Sequence, residues 1–146
     1  MWKKILLGLV AVMGLSLVAC SDDDKDEPIA AENLPAAARS FISDYYPSTY
    51  VISANLDDNE YEVVLSNGHI LDFDRSGVWQ DVDAPYGESV PTGFYPSAID
   101  DYISVSYPEN GINEISKSSR GYEVELLTGQ DLDFDREGAF LGIDVD

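Results

Sequence analysis

The chain has 146 residues, with 8 Lys and Arg against 28 Asp and Glu, a formal charge of −20. That length is one ordinary domain or two very small ones sharing a core. Such a polyanion repels phosphate backbones and anionic lipid headgroups, which excludes nucleic-acid binding, while 45% hydrophobic residues and 16 aromatics argue against disorder.

In chain order, Lys3 and Lys4 form a basic start, and Ile5 to Val18 is apolar apart from small residues. At about 14 residues this run is too short for a spanning helix, so residues 1–19 read as a signal peptide. The run ends in Leu17-Val18-Ala19-Cys20. That resembles a bacterial lipobox, in which the cysteine thiol is lipidated. Cys20 is the only cysteine, so no disulfide can form within the chain. Residues 20–33 begin Ser21-Asp22-Asp23-Asp24-Lys25-Asp26-Glu27-Pro28 and read as an acidic, flexible tether. Ser followed by Asp directly after the cysteine also resembles the export signal of surface-displayed lipoproteins of Gram-negative anaerobes. The expected address is therefore the outer membrane, surface-exposed, with a periplasm-facing lipoprotein as the alternative.

The rest is organised by an internal repeat. A shift of 61 residues lays 34–85 over 95–146 without a gap, with 18 identities in 52 pairs, against roughly three by chance. Tyr61-Glu62-Val63 meets Tyr122-Glu123-Val124, and Leu71-Asp72-Phe73-Asp74-Arg75 meets Leu132-Asp133-Phe134-Asp135-Arg136. Residues 86–94 form the linker, with Gly87, Pro91 and Gly93 as breakers and Pro85 just before it. Each unit reads as one helix and four short strands. Pro35 and Pro96 open the helices, and Pro47 and Pro108 end them. Ala38, Phe41, Ile42 and Tyr45 form an apolar stripe in the first, and Ile99, Tyr102 and Ile103 in the second. Alternation puts Tyr61, Val63, Leu65, Leu71 and Phe73 toward a core and Glu62, Asp72 and Asp74 away from it. Ser66-Asn67-Gly68 is a hairpin turn, and Asp74-Arg75-Ser76-Gly77 a second turn, with Asp74 and Asp135 as turn caps. Val78 to Asp83 closes the first unit, with Trp79 corresponding to Phe140.

A unit of about 50 residues buries too little apolar surface to stand alone, so the two should share a core or pair edge to edge. The expected fold is α+β: two tandem α-β4 repeats forming an antiparallel sheet with both helices packed on one face. The pattern helix, Tyr-Glu-Val-x-Leu-x-x-Gly, then Leu-Asp-Phe-Asp-Arg-x-Gly with an aromatic two residues on, resembles the PepSY-like, β-lactamase-inhibitor-like lipoproteins. That resemblance covers residues 34–146. It implies an exported or anchored α+β protein without enzymatic activity, but a fold does not transfer an inhibitory site.

Catalytic patterns are missing from the sequence. There is no Gly-x-Ser-x-Gly, no His-Glu-x-x-His and no phosphate loop. The single histidine, His69, falls at a hairpin opposite Gln130 in the repeat and reads as an exposed turn residue. Glu62, Asp72, Asp74, Glu123, Asp133 and Asp135 converge on one expected face, the candidate binding face. Among them Asp72, Asp74, Asp133 and Asp135 are weak Ca²⁺ candidates, since calcium needs 6–8 oxygen ligands and an Asp-x-Asp pair supplies two to four. No cofactor other than Ca²⁺ is expected. Tyr45, Tyr46, Tyr50, Tyr86, Phe94 and Tyr95 either pack around the linker or form an exposed tyrosine patch. The reading is a non-enzymatic, lipid-anchored cell-envelope module, monomeric, that recognises a protein, peptide or basic ligand. A Ca²⁺-stabilised structural or adhesive lipoprotein and a protease or β-lactamase inhibitor are the alternatives.

Overall fold

A computed structural model describes residues 26–144. The signal peptide at 1–19, the lipidation residue Cys20 and the start of the tether lie outside the described residues. Strands β1 (Glu27–Pro28), β2 (Val51–Asp57), β3 (Glu60–Leu65), β4 (Ile70–Asp74), β5 (Trp79–Asp83), β6 (Ile112–Lys117), β7 (Gly121–Leu126), β8 (Asp131–Asp135) and β9 (Phe140–Asp144) form one sheet in that spatial order. Every neighbouring pair is antiparallel. Helix α1 (Ala36–Tyr45) precedes β2, and α2 (Ser97–Ser106) lies between β5 and β6. The fold is α+β, as the residue patterns require.

One side of the sheet is apolar. Val63, Leu65, Leu71, Phe73, Val82, Ile115, Leu126, Leu132 and Phe134 have no exposure, and Val124 is 1% exposed. Each helix makes an aromatic contact with a residue of this layer. Phe41 of α1 meets Phe73 edge-on at 5.6 Å, and Tyr102 of α2 meets Phe134 at 5.6 Å. Phe94, just before α2, sits 5.1 Å from Phe41, 5.4 Å from Tyr45 and 5.0 Å from Trp79. Of the tyrosines around the linker, Tyr46 and Tyr95 are buried, while Tyr50 and Tyr86 stand exposed. They form no common patch: the linker aromatics mostly pack.

One expectation changes. The tether at 20–33 is shorter on its described side, because Glu27 and Pro28 pair with Leu56 and Asn55 of β2. A 3-10 turn at Ala31–Asn33 follows, and Leu34 is buried. Ile29 supplies the reason: it packs against the core and its N–H donates to the Ala54 carbonyl at 2.9 Å. The linker is also tightly held. Asn113 Nδ2 donates to the carbonyls of Ala84, Pro85 and Glu88 at 2.9–3.1 Å, and Val90 is buried.

The turn after β4 locks strand to helix. Gly77 has φ +88°, and a Cβ there would lie 2.8 Å from the Ala38 amide nitrogen and from Pro35 Cβ. Gly138, with φ +88°, makes the same approach to Pro96 in the second half. Gly77→Ala therefore meets both a left-handed backbone and helix atoms that cannot retreat. The expected loss is at least about 1–2 kcal/mol, measured by urea denaturation; an unchanged midpoint would refute the close packing of turn on helix.

Candidate functional site: an acidic open sheet face

Because side chains alternate along a strand, the apolar layer fixes which residues face the other way. The register then aligns these in rows. Asn55 lies opposite Glu62, Glu62 opposite Asp72, and Asp72 opposite Asp81. Across the β5–β6 junction the row continues with Asp81 opposite Ser116, Ser116 opposite Glu123, and Glu123 opposite Asp133. In the adjacent row Asp83 faces Glu114, Glu114 faces Glu125, and Glu125 faces Asp131, which faces Asp144. Like charges placed directly opposite are destabilising in a sheet, so this face carries a cost that the apolar side offsets.

The structure brings together four of the six candidate residues, as the opposed pairs Glu62–Asp72 and Glu123–Asp133. Asp74 and Asp135 are drawn into their turns. Asp74 Oδ1 accepts from the N–H of Ser76 and of Val78, both at 2.9 Å, and from Ser76 Oγ at 2.6 Å. These bonds favour the carboxylate and lower its pKa, led by the Ser76 hydroxyl. Asp135 Oδ1 accepts from Glu137 N–H at 3.0 Å and Ala139 N–H at 2.8 Å. Asp133 is buried and paired with Arg120, a cation from the β6–β7 turn that sequence reasoning had not placed here. Burial, then the charges of Asp133 and Asp144, raise the Glu123 pKa, while Arg120 opposes them. Among the described residues, no group of three or more His, Cys, Asp or Glu is arranged to hold a metal ion.

The centre of the face lies at the seam between the halves, in residues outside the original six. Burial first, then the charge of Glu114, raises the Asp81 pKa from 3.8 to about 8. Burial, then the charges of Asp83 and Glu125, raises Glu114 to about 7, while a hydrogen bond from Asp81 opposes that rise. Burial and mutual repulsion thus push both carboxyls toward their neutral forms. Asp81 Oδ1 is buried without a hydrogen-bond partner among the described residues. Period two within Val78–Asp83 exposes Asp81 and Asp83 as a pair. Their meeting with Glu114 needs the β5–β6 pairing, which joins residues about 30 apart in sequence.

His69 corrects an expectation. It is 5% exposed rather than a free turn residue. The linker folds over its hairpin, bringing Glu88 Oε2 to 3.6 Å from Nε2. Tyr46 Oη lies 2.9 Å from Nδ1, and the two rings meet edge-on at 5.1 Å. With Tyr46 donating to Nδ1, the Nε2 proton points at Glu88. Desolvation lowers the His69 pKa against the pull of Glu88 and Asp83, and burial raises that of Tyr46. His69 therefore sits in a covered ionisable cluster with Tyr46 and Glu88. Gln130, its counterpart, is half-buried.

The fold is a nine-stranded α+β meander with one carboxylate-lined face. Residues 21–71 and 59–142 match the family model described as "Putative beta-lactamase-inhibitor-like, PepSY-like", and the chain belongs to that family. Among solved structures, a "putative calcium-regulated periplasmic protein" of Bacteroides thetaiotaomicron is 31% identical with a TM-score of 0.76, covering 82% of this chain and 97% of its own. A "putative periplasmic protein of unknown function" of Bacteroides vulgatus is 31% identical with a TM-score of 0.78, covering 83% and 100%. Another Bacteroides vulgatus periplasmic protein is 31% identical, with a TM-score of 0.77 and coverage of 85% and 100%. No curated protein matches the chain.

The seam makes stability depend on pH with a definite sign. A carboxyl whose folded pKa lies above its unfolded value holds its proton more tightly when folded, so its contribution is complete near pH 4 and is lost as pH rises to about 8. Asp81→Asn should therefore raise the melting temperature by several degrees at pH 8.5 and change it little at pH 5. An equal effect at both pH values would show that folding does not raise the Asp81 pKa.

Proposed function

We propose that this chain is a non-enzymatic, lipid-anchored module of the cell envelope whose acidic sheet face binds a basic protein or peptide. The observation that carries the reading is the pair of carboxylate rows across the open face, which no repeat-wide structural role demands. Family membership and three periplasmic relatives support the envelope address. Within this reading the anchor is Cys20, and the outer membrane, facing outward, is the location. The domain is two tandem α-β4 units with both helices over one side. The equal spacing of α1 and α2 from their strands and the contacts Phe41–Phe73 and Tyr102–Phe134 favour that layout. It leaves the acidic side free.

Electrostatic recognition weakens as salt shortens the screening length. Envelope proteins captured at low salt should elute at about 0.5 M salt, where the Debye length is under about 5 Å, and should not bind the variant Glu62→Lys/Glu123→Lys. Capture of the same set by that variant would sink the assignment of the site.

A second reading, calcium-dependent stabilisation, is favoured by the description of the Bacteroides thetaiotaomicron relative as calcium-regulated. Asp72, Asp131 and the seam carboxylates supply oxygens on one face, though they are not pre-arranged as a cage. Calcium bound only by the folded state raises the melting temperature. Millimolar Ca²⁺ should shift the melt upward relative to chelator; superimposable curves would dispose of this reading.

A further inference from the structure

The junction between the two halves has counterparts at both outer edges of the sheet. At the junction Asp81 faces Ser116, Val82 faces Ile115 and Asp83 faces Glu114. The shift of 61 residues carries β5 onto β9, so that Gly142, Ile143 and Asp144 take the places of Asp81, Val82 and Asp83. It carries β6 onto β2, where Asn55, Ala54 and Ser53 take the places of Ser116, Ile115 and Glu114. β9 ends the sheet, and among the described residues no strand pairs with its outer edge. Leu141 and Ile143 are each 47% exposed there. The outer edge of β2 is held only by β1, at the same positions the junction uses. Pro28 faces Asn55, and Ile29 N–H donates to Ala54 O.

We propose that the edges of β9 and β2 are complementary, so that β9 of one copy pairs with β2 of a second copy in the register of the β5–β6 junction, once Glu27–Ile29 leaves β2.

Three observations argue for a second copy as the occupant. The first is continuity with a junction the fold already makes. Ladder bonds alternate along a strand. Ala84 N–H donates to Asn113 O, so Val82, two residues earlier, also points its N–H at β6. Its counterpart Ile143 then presents an N–H outward, as Ile29 presents one to Ala54. The second is charge. The new pairs would be Gly142 with Asn55, Ile143 with Ala54, and Asp144 with Ser53. None sets carboxylate against carboxylate, whereas the internal junction sets Asp83 against Glu114. A chain of net charge −20 thus meets itself at a pair of edges free of opposed like charges. The third is the weakness of the plug. β1 has two residues, one of them a proline with no N–H to donate. While β1 is seated the molecule is a monomer. When it leaves, each copy offers one donor and one acceptor edge, and the contact repeats head to tail.

Ser53 and Asp144 correspond to the opposed pair Glu114 and Asp83, and seven strand steps separate β2 from β9, roughly 30 Å. A disulfide between cysteines placed at these two sites must therefore join two copies. In the full chain, Ser53→Cys/Asp144→Cys should give disulfide-linked multimers on non-reducing gels well above either single-substitution chain, which sets the background from Cys20. Adding Ile29→Asp should increase them several-fold, and adding Ile143→Pro should abolish them. If Ile29→Asp does not fold, raising the protein concentration of the double-cysteine chain replaces it and should raise the multimer fraction. Multimers no more abundant than in the controls, or indifferent to Ile143→Pro, would overturn the proposal. So would a cross-link from the cysteine at position 144 to a different polypeptide rather than to position 53 of a second copy, which would assign the edge to a foreign strand.

Discussion

The acidic face depends on the apolar layer behind it. Val63, Leu71, Val82, Ile115, Val124 and Leu132 are fully or almost fully buried across six neighbouring strands. A slip of one residue in any of these pairings would turn an apolar set to water and a carboxylate set inward. The register is held by that penalty. Once it is held, Glu62 must face Asp72, Asp83 must face Glu114 and Glu123 must face Asp133, whatever their mutual repulsion. The repulsion is moderated locally by Arg120 on Asp133, and at the seam it raises the pKa values of Asp81 and Glu114.

The two halves are alike in strands and turns but not in their surroundings. Among the described residues, it is the hairpin after β3 that the linker folds back on. That difference turns His69 into a buried residue bonded to Tyr46, and it makes Asn113 the clasp of the linker. The edges differ as well. β2 is capped by Glu27–Pro28, β5 and β6 cap each other, and β9 has no cap among the described residues. Open edges are the usual route by which sheets associate. Here the acidity of the chain restricts which partner an edge can accept.

Much of the acidic face follows from period two alone. Glu62, Asp72, Glu123 and Asp133 could be placed on one side because each alternates with a buried aliphatic or aromatic residue. Asp74 and Asp135 share that period, but they sit one step from a glycine turn, where backbone N–H groups compete for the carboxylate. The seam was invisible to such reasoning. Asp81 and Glu114 belong to different halves, and nothing local to either reports that β5 and β6 are neighbours.

The sequence by itself determined the elements: helices bounded by prolines, strands by alternation, turns by Asn-Gly and by Asp with Gly three residues on, and the excess of acid over base. These are short-range consequences of backbone sterics and side-chain polarity. The tertiary structure decided which elements became neighbours. It set Asp81 beside Glu114, buried His69 under the linker and laid Ile29 on β2, because burial and electrostatic coupling act through space between residues that the chain keeps far apart.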